Sequence, residues 1–187
     1  MLLHIIIKLL NYGLIEHYKS IANSVSLPII LYNVPSRTGM NILPETCLEL
    51  SKIDNIVGIK EASGNISQIT KISSLCGDNL FIYSGNDNQI VPILSIGGQG
   101  VISVLSNINP SLVLNTVNSF FDGNIKKSCD YQFKSLQIID ALFKETNPIP
   151  VKEALNLLGF NFGEPRLPLI KCSESLKNEL KNLINIS

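Results

Sequence analysis

Neither charge sign dominates this 187-residue chain: 15 basic residues stand against 15 acidic ones, with no basic block. That balance removes the electrostatic footprint of a nucleic-acid binder or of a protein drawn to an anionic membrane. Cysteine is sparse and scattered. Cys47, Cys76, Cys129 and Cys172 make no C-x-x-C pair, which excludes a zinc ribbon and a dense disulfide scaffold and fits a reducing, cytoplasmic compartment. No apolar run is long enough to span a bilayer. The opening "MLLHIIIKLL" is interrupted by Lys8 and lacks both a cationic start and a small-residue cleavage site, so it does not read as a signal peptide. Small molecules and other protein chains are the partners left, and the length suits one domain with a sizeable core.

What is present is a repeating alternation. Four β-branched runs, "LPIILYNVPSRTG", "NIVGIKEASGN", "NLFIYSGNDN" and "GQGVISVLSN", are each closed by turn or polar residues and read as strands buried on both faces. Helix-length stretches with apolar residues at helical spacing separate them: Pro44 to Lys52, Ser67 to Leu75 and a shorter one from Asn86 to Ile96. Such alternation predicts βαβ units and a parallel sheet. After the fourth strand only helices are expected, over Pro110–Phe121, Ile125–Lys144, Pro150–Leu158 and Ser173–Ile186. Asn109 before Pro110, and Ser173 before Leu176, Leu180 and Leu183, are start signals. Four parallel strands suit either a small open sheet or half of a (β/α)8 barrel, in which polar residues gather just after each strand.

Three strands end in reactive groups: Tyr32, Ser36 and Arg37 after the first, Lys60 and Glu61 closing the second, Ser84, Asn86 and Asp87 after the third. Lys60 ends Ile56-Val57-Gly58-Ile59, where its ammonium is carried into a low-dielectric sheet. Lowering a lysine from about 10.4 to near 7 means about 4–5 kcal/mol of lost preference for protonation. A neutral amine attacks a ketone to form an imine; a strand-exit lysine reaching solvent is the plainer reading. Tyr32 can relay protons or pack a core. Arg37, in a Pro-Ser-Arg-Thr-Gly turn, can hold a carboxylate bidentately or face solvent. Gly85 and "IGGQG" admit a ligand close to the backbone or serve tight turns. Amine, phenol and guanidinium at the ends of neighbouring parallel strands make a site for carbonyl chemistry.

"YNVPSRTG", "GIKEASGN", "SGNDN", "GGQGVISV" and "NPIPVK", in this order, resemble the 4-hydroxy-tetrahydrodipicolinate (dihydrodipicolinate) synthases, within the pyruvate-dependent class I aldolase family that includes N-acetylneuraminate lyase. The resemblance runs from Tyr12 to the end. It implies an α/β chain, the C-terminal half of a (β/α)8 TIM barrel with four parallel βα units, followed by a C-terminal helical extension. By matching motif, Lys60 is the Schiff-base lysine for pyruvate and Tyr32 the proton-relay tyrosine. Arg37 helps to bind the aldehyde, and Gly85 and Ile102 line the pyruvate pocket. The implied reaction condenses pyruvate with L-aspartate 4-semialdehyde in lysine biosynthesis by the diaminopimelate route. It needs no metal or organic cofactor, and the usual assembly is a homo-oligomer. Four earlier βα units of the family, with a threonine pair, a tyrosine donated between subunits and much of the lysine feedback site, have no counterpart in these residues.

The family string ahead of the first helix typically reads Val-Thr-Pro-Tyr-Tyr-Asn-Lys-Thr-Thr-Gln. When each codon from Leu2 to Asn11 supplies its first two bases to a triplet one frame away, that whole string can be spelled. Residues 1–11 are therefore expected to be an out-of-frame segment, 12–109 a partial barrel and 110–187 a helical region. Three functional readings follow: a pyruvate-dependent synthase, an inert or split-enzyme fragment, and an independent four-stranded binding domain, the last giving no reason for Lys60, Tyr32 and Arg37 to converge.

Overall fold

A computed structural model describes residues 11–184, so the expected out-of-frame origin of the opening falls outside the described residues except for Asn11. Asn11 begins helix α1 (Asn11–Ser24), and its side-chain oxygen accepts a hydrogen bond from Thr46 Oγ1 at 2.9 Å. Two compact units divide between Ile102 and Ser103. This lies ahead of the change of pattern at Asn109 because Leu105, 1% exposed in a short 3-10 turn, packs with the helices that follow.

In the first unit, strands β1 (Ile29–Asn33), β2 (Ile56–Glu61), β3 (Phe81–Ser84) and β4 (Gly100–Val101) form one parallel sheet in sequence order. The intervening helices are α2 (Pro35–Thr38), α3 (Pro44–Leu50), α4 (Ile66–Cys76) and α5 (Ile90–Ser95). Leu31, Ile59 and Ile82, one from each of three strands, meet Leu50, Ile69 and Ile72 of α3 and α4 in the core. Each such buried side chain stabilises the unit by about 1.5–3 kcal/mol. Asn65 caps α4, its side chain accepting from Gln68 N at 3.1 Å.

The strands are not buried on both faces as expected. Ile30, Tyr32 and Phe81 on one face are 46%, 45% and 47% exposed, whereas Leu31 and Ile82 on the other are buried. Period-2 alternation sends successive side chains to opposite faces, and the core formed with the helices covers one of them. The expected turn at Pro-Ser-Arg-Thr-Gly is a single helical turn: Pro35 starts it, and Gly39, at φ +68°, ends it with its N–H on Pro35 O at 2.9 Å. The stretch from Asn86 divides into a 3-10 turn, Asp87–Gln89, and then α5.

The second unit holds α6 (Pro110–Phe121), α7 (Ile125–Phe143), α8 (Ile149–Leu157) and α9 (Glu174–Ile184), within two residues of the expected bounds. Asn109 and Asn124 cap α6 and α7, each accepting from a backbone N–H at 3.1 Å. Buried Ser128 donates to Thr116 O at 2.7 Å, joining α7 to α6. Among the described residues no helix is long and apolar enough to cross a membrane.

Candidate active site

Parallel pairing sets the site. Tyr32 lies opposite Lys60 and Lys60 opposite Tyr83 in the β1, β2 and β3 registers, so three polar side chains from neighbouring strands share one face at the carboxyl end of the sheet. The Lys60 nitrogen stands 4.4 Å from the centre of the Tyr32 ring. At that range the ring quadrupole attracts the ammonium by about 0.5–2 kcal/mol. Burial in the strand nonetheless pushes the Lys60 amine below the ordinary lysine range. Asp87 opposes that shift, and the Arg37 guanidinium adds to it.

Each residue singled out from sequence lies in this unit. Arg37, in α2 just beyond β1, is exposed and adds its positive charge to the surroundings of Lys60. Gly85 follows β3, with its N–H on Glu61 O at 2.7 Å. A Cβ there would come within 3.2 Å of Lys60 Cε and 2.7 Å of Ala62 Cβ, so the missing side chain is what lets the Lys60 chain pass. Ile102 continues β4, its N–H donating to Ser84 O at 2.8 Å, and its side chain is 39% exposed.

Sequence reasoning missed Tyr83. A Cβ at Gly58 would meet its ring at 3.5 Å and one at Gly100 would meet it at 3.7 Å, so two glycines on flanking strands make room for the ring beside Lys60. Position parity was the available signal: Tyr83 stands one residue before Ser84, as Lys60 stands one before Glu61. On the opposite, helix-covered face lies a polar network. Asn33 Nδ2 donates to Glu61 Oε1 at 2.7 Å and to Asn41 Oδ1 at 2.9 Å, and Asn41 and Gln68 exchange hydrogen bonds at 2.7 and 3.1 Å. A groove of about 740 Å³ in the second unit, lined by Leu105, Leu112, Ile138 and Leu183 among others, holds none of the residues at these strand ends.

The model of the dihydrodipicolinate synthetase family matches residues 6–187. This chain belongs to that family. It is 59% identical over 172 residues to a 4-hydroxy-tetrahydrodipicolinate synthase of Caldicellulosiruptor saccharolyticus, an overlap of 92% of this chain and 58% of the relative. It superposes with a TM-score of 0.93 on the dihydrodipicolinate synthase structure from Thermotoga maritima, at 44% identity, covering 96% of this chain and 62% of that one. The synthase of Cyanidioschyzon merolae, solved with lysine bound, gives a TM-score of 0.93 at 37% identity, with 96% of this chain and 61% of that one covered. The chain thus spans 58% of the length of the curated relative from C. saccharolyticus. Within the family fold, its four parallel βα units are part of the (β/α)8 barrel, and the later helices are the C-terminal extension.

Proposed function

We propose that this chain carries the imine-forming half of a synthase that condenses pyruvate with L-aspartate 4-semialdehyde to 4-hydroxy-tetrahydrodipicolinate, a lyase-class step of lysine biosynthesis. The Lys60 amine, held below its usual proton affinity and 4.4 Å from the Tyr32 ring centre, is the observation that carries this reading. The neutral nitrogen attacks the ketone carbon of pyruvate, and the carbinolamine loses water to give a protonated imine. Loss of a methyl proton then yields an enamine, whose carbon attacks the aldehyde; the amino group of that substrate then replaces the Lys60 nitrogen at the imine carbon, closing the ring and freeing the lysine. Tyr32 relays the protons, Arg37 holds the carboxylate of the aldehyde substrate, and Gly85 and Ile102 bound the pyruvate. The chemistry calls for no metal or organic cofactor, because Lys60 itself supplies the electron sink.

Two features support a site that needs further chain to turn over. Within the described residues β1 pairs only with β2 and β4 only with β3, leaving two open edges. The face carrying Lys60 also exposes Ile30, Phe81 and Ile102. A separately made N-terminal half, or the full-length chain of the family assembled as an oligomer, fits that face. The test is pyruvate and borohydride on the purified 187-residue chain, followed by peptide mass spectrometry. An adduct at Lys60, absent in Lys60→Ala, is expected, together with little or no synthase turnover by the chain alone. No adduct, with strong binding of an apolar dye, would mark an inert fragment.

A further inference from the structure

Glu61 is fully buried, at 0% exposure, and directly follows the lysine read as the reactive amine. Its carboxyl receives donors only. Asn33 Nδ2 lies 2.7 Å from Oε1 and 3.3 Å from Oε2; Ser63 N lies 3.3 Å from Oε1 and Ser63 Oγ 3.2 Å from Oε2. Asn33 Nδ2 and Ser63 N can only donate, so Oε1 is an acceptor in either protonation state, while the Ser63 hydroxyl at Oε2 donates to the carboxylate and can accept from the acid. Burial, the largest influence, pushes Glu61 above the usual carboxylate range, and the Ser63 and Asn33 donors offset only part of that rise.

The network reaches further than the pair. Asn33 Oδ1 accepts from Ile42 N at 3.0 Å, its amide donates to Asn41, and Asn41 is doubly bonded to Gln68 in the first turn of α4. It therefore fastens the last residues of β1 and β2 to both following loops and to a helix. In the sheet, Asn33 pairs with Glu61 one step beyond the pair Tyr32 and Lys60, and the backbone continues with Ala62 N on Asn33 O at 2.9 Å. Fixing one pair on the covered face fixes its neighbour on the open face.

We propose that Glu61 is a positioning residue, whose buried carboxylate grips Asn33 and Ser63 so that the ends of β1 and β2 hold the Lys60 amine against the Tyr32 ring. Glu61 does not touch substrate. Its work matters only if Lys60 is the imine-forming group, so the role rests on the function proposed above. The groups that face Lys60 from the packed elements are Tyr32 on β1 and Tyr83, its register partner on β3, and the charges that act on it are Arg37 on α2 and Asp87 in the turn after β3. On the covered side, Cys47 of α3 is the titratable neighbour that Glu61 acts on.

Glu61→Leu removes both acceptors at similar volume, so the grip on Asn33 and Ser63 fails. Glu61→Gln removes only the charge: its Oε1 still accepts from Asn33 Nδ2, and its amide donates to the Ser63 hydroxyl, which accepts as well as donates. Lys60 is measured without pyruvate, by its acetylation with acetic anhydride across pH in the full chain, against exposed Lys126 as reference. Wild-type Lys60 should titrate below the ordinary lysine range. Glu61→Gln, which keeps the grip and loses a nearby negative charge, should leave the midpoint in place or lower it. Glu61→Leu loses the same charge but frees the strand ends, so relief of burial, the largest influence on Lys60, should outweigh the lost ring contact and set the midpoint about half a pH unit above that of Glu61→Gln, roughly threefold less labelling at a fixed pH below it. Asn33→Ala, which breaks the same pair with the Glu61 charge kept, should raise it likewise. Ile93→Val, a core change on α5, should leave the midpoint in place while lowering stability. The role is overturned if Glu61→Leu and Glu61→Gln share one midpoint, if Asn33→Ala leaves it unmoved, or if Ile93→Val moves it equally. A wild-type chain that titrates as expected yet takes up no pyruvate would sink the proposed function, and with it the catalytic meaning of the role, whereas the hold of Glu61 on Lys60 is read without pyruvate and fails or stands by the midpoints alone.

Discussion

The Lys60 nitrogen lies 4.4 Å from the centroid of the Tyr32 ring, and the two residues are direct partners across β1 and β2. The ring is 45% exposed, so Tyr32 is held by its neighbour and its strand more than by a surrounding core. Two parts of the side chain can then be separated by experiment. Tyr32→Phe keeps the ring against the ammonium and removes the hydroxyl proposed to relay protons. Borohydride-trapped imine at Lys60 should form roughly a hundredfold more slowly in Tyr32→Phe, with circular dichroism unchanged. An unaltered trapping rate would remove Tyr32 from the proton path.

Gly85→Ala tests how closely the backbone passes the amine. The added methyl would stand 2.7 Å from Ala62 Cβ, a contact that real Cβ atoms do not tolerate, and 3.2 Å from Lys60 Cε. Crowding of this kind costs about 1–3 kcal/mol. Urea unfolding followed by fluorescence should show that loss, and pyruvate trapping at Lys60 should fall with it because the lysine chain must move aside. If Gly85→Ala is as stable and as reactive as the wild type, Gly85 is a turn residue and nothing more.

Much of this arrangement was legible in the sequence, for identifiable reasons. The four β-branched runs became the four strands, because such side chains favour extended backbone and one face of each strand packs on the helices. Asn109 with Pro110 and Ser173 with Leu176 marked helix starts that the structure keeps, since a side-chain acceptor ahead of unpaired N–H groups is a local device. Exposure of Ile30 and Phe81 was not legible: an apolar residue reads the same whether or not another layer covers it. Nor was the Glu61 network. Asn33, Asn41, Glu61 and Gln68 fall at no fixed period, and only the sheet register and the first turn of α4 bring them together.

The helical unit offers a check independent of the site. Asn109 accepts from Leu112 N at 3.1 Å, ahead of Pro110 at the first helical position of α6. Asn109→Ala removes that acceptor and should destabilise the chain by about 1 kcal/mol in urea unfolding, whereas Asn109→Ser should recover most of it. Equal stability of the alanine and serine variants would show that α6 does not depend on its cap.

Thiol reactivity separates three of the four cysteines by environment. Burial, with Glu145 and Glu153 nearby, pushes the Cys172 thiol up to about 11, and burial raises Cys47 further still. Cys129, on α7, is only partly buried. Iodoacetamide reacts with the thiolate, so at about pH 8 the native chain should be labelled first at Cys129, with Cys47 and Cys172 protected until it unfolds. Early labelling of Cys172 in the native chain would contradict the packing of α8 and α9 around it.

The charges around Lys60 predict opposite shifts of its pH profile. Its amine is lowered first by burial; Arg37 lowers it further, and Asp87 raises it. Imine formation needs the neutral amine, so the trapping rate should rise with pH and level off once Lys60 is deprotonated, below the pH at which an ordinary lysine would do so. Arg37→Ala removes a like charge, favours the ammonium and should move the rise to higher pH. Asp87→Asn removes an opposite charge, disfavours the ammonium and should move it to lower pH. Pyruvate is an anion, so the loss of Arg37 can also weaken its capture. Reading the midpoint of the profile at saturating pyruvate, instead of the rate at one pH, keeps that effect apart from the proton affinity of the amine. Shifts in the same direction for both variants would mean that the field of these two side chains does not set the Lys60 charge.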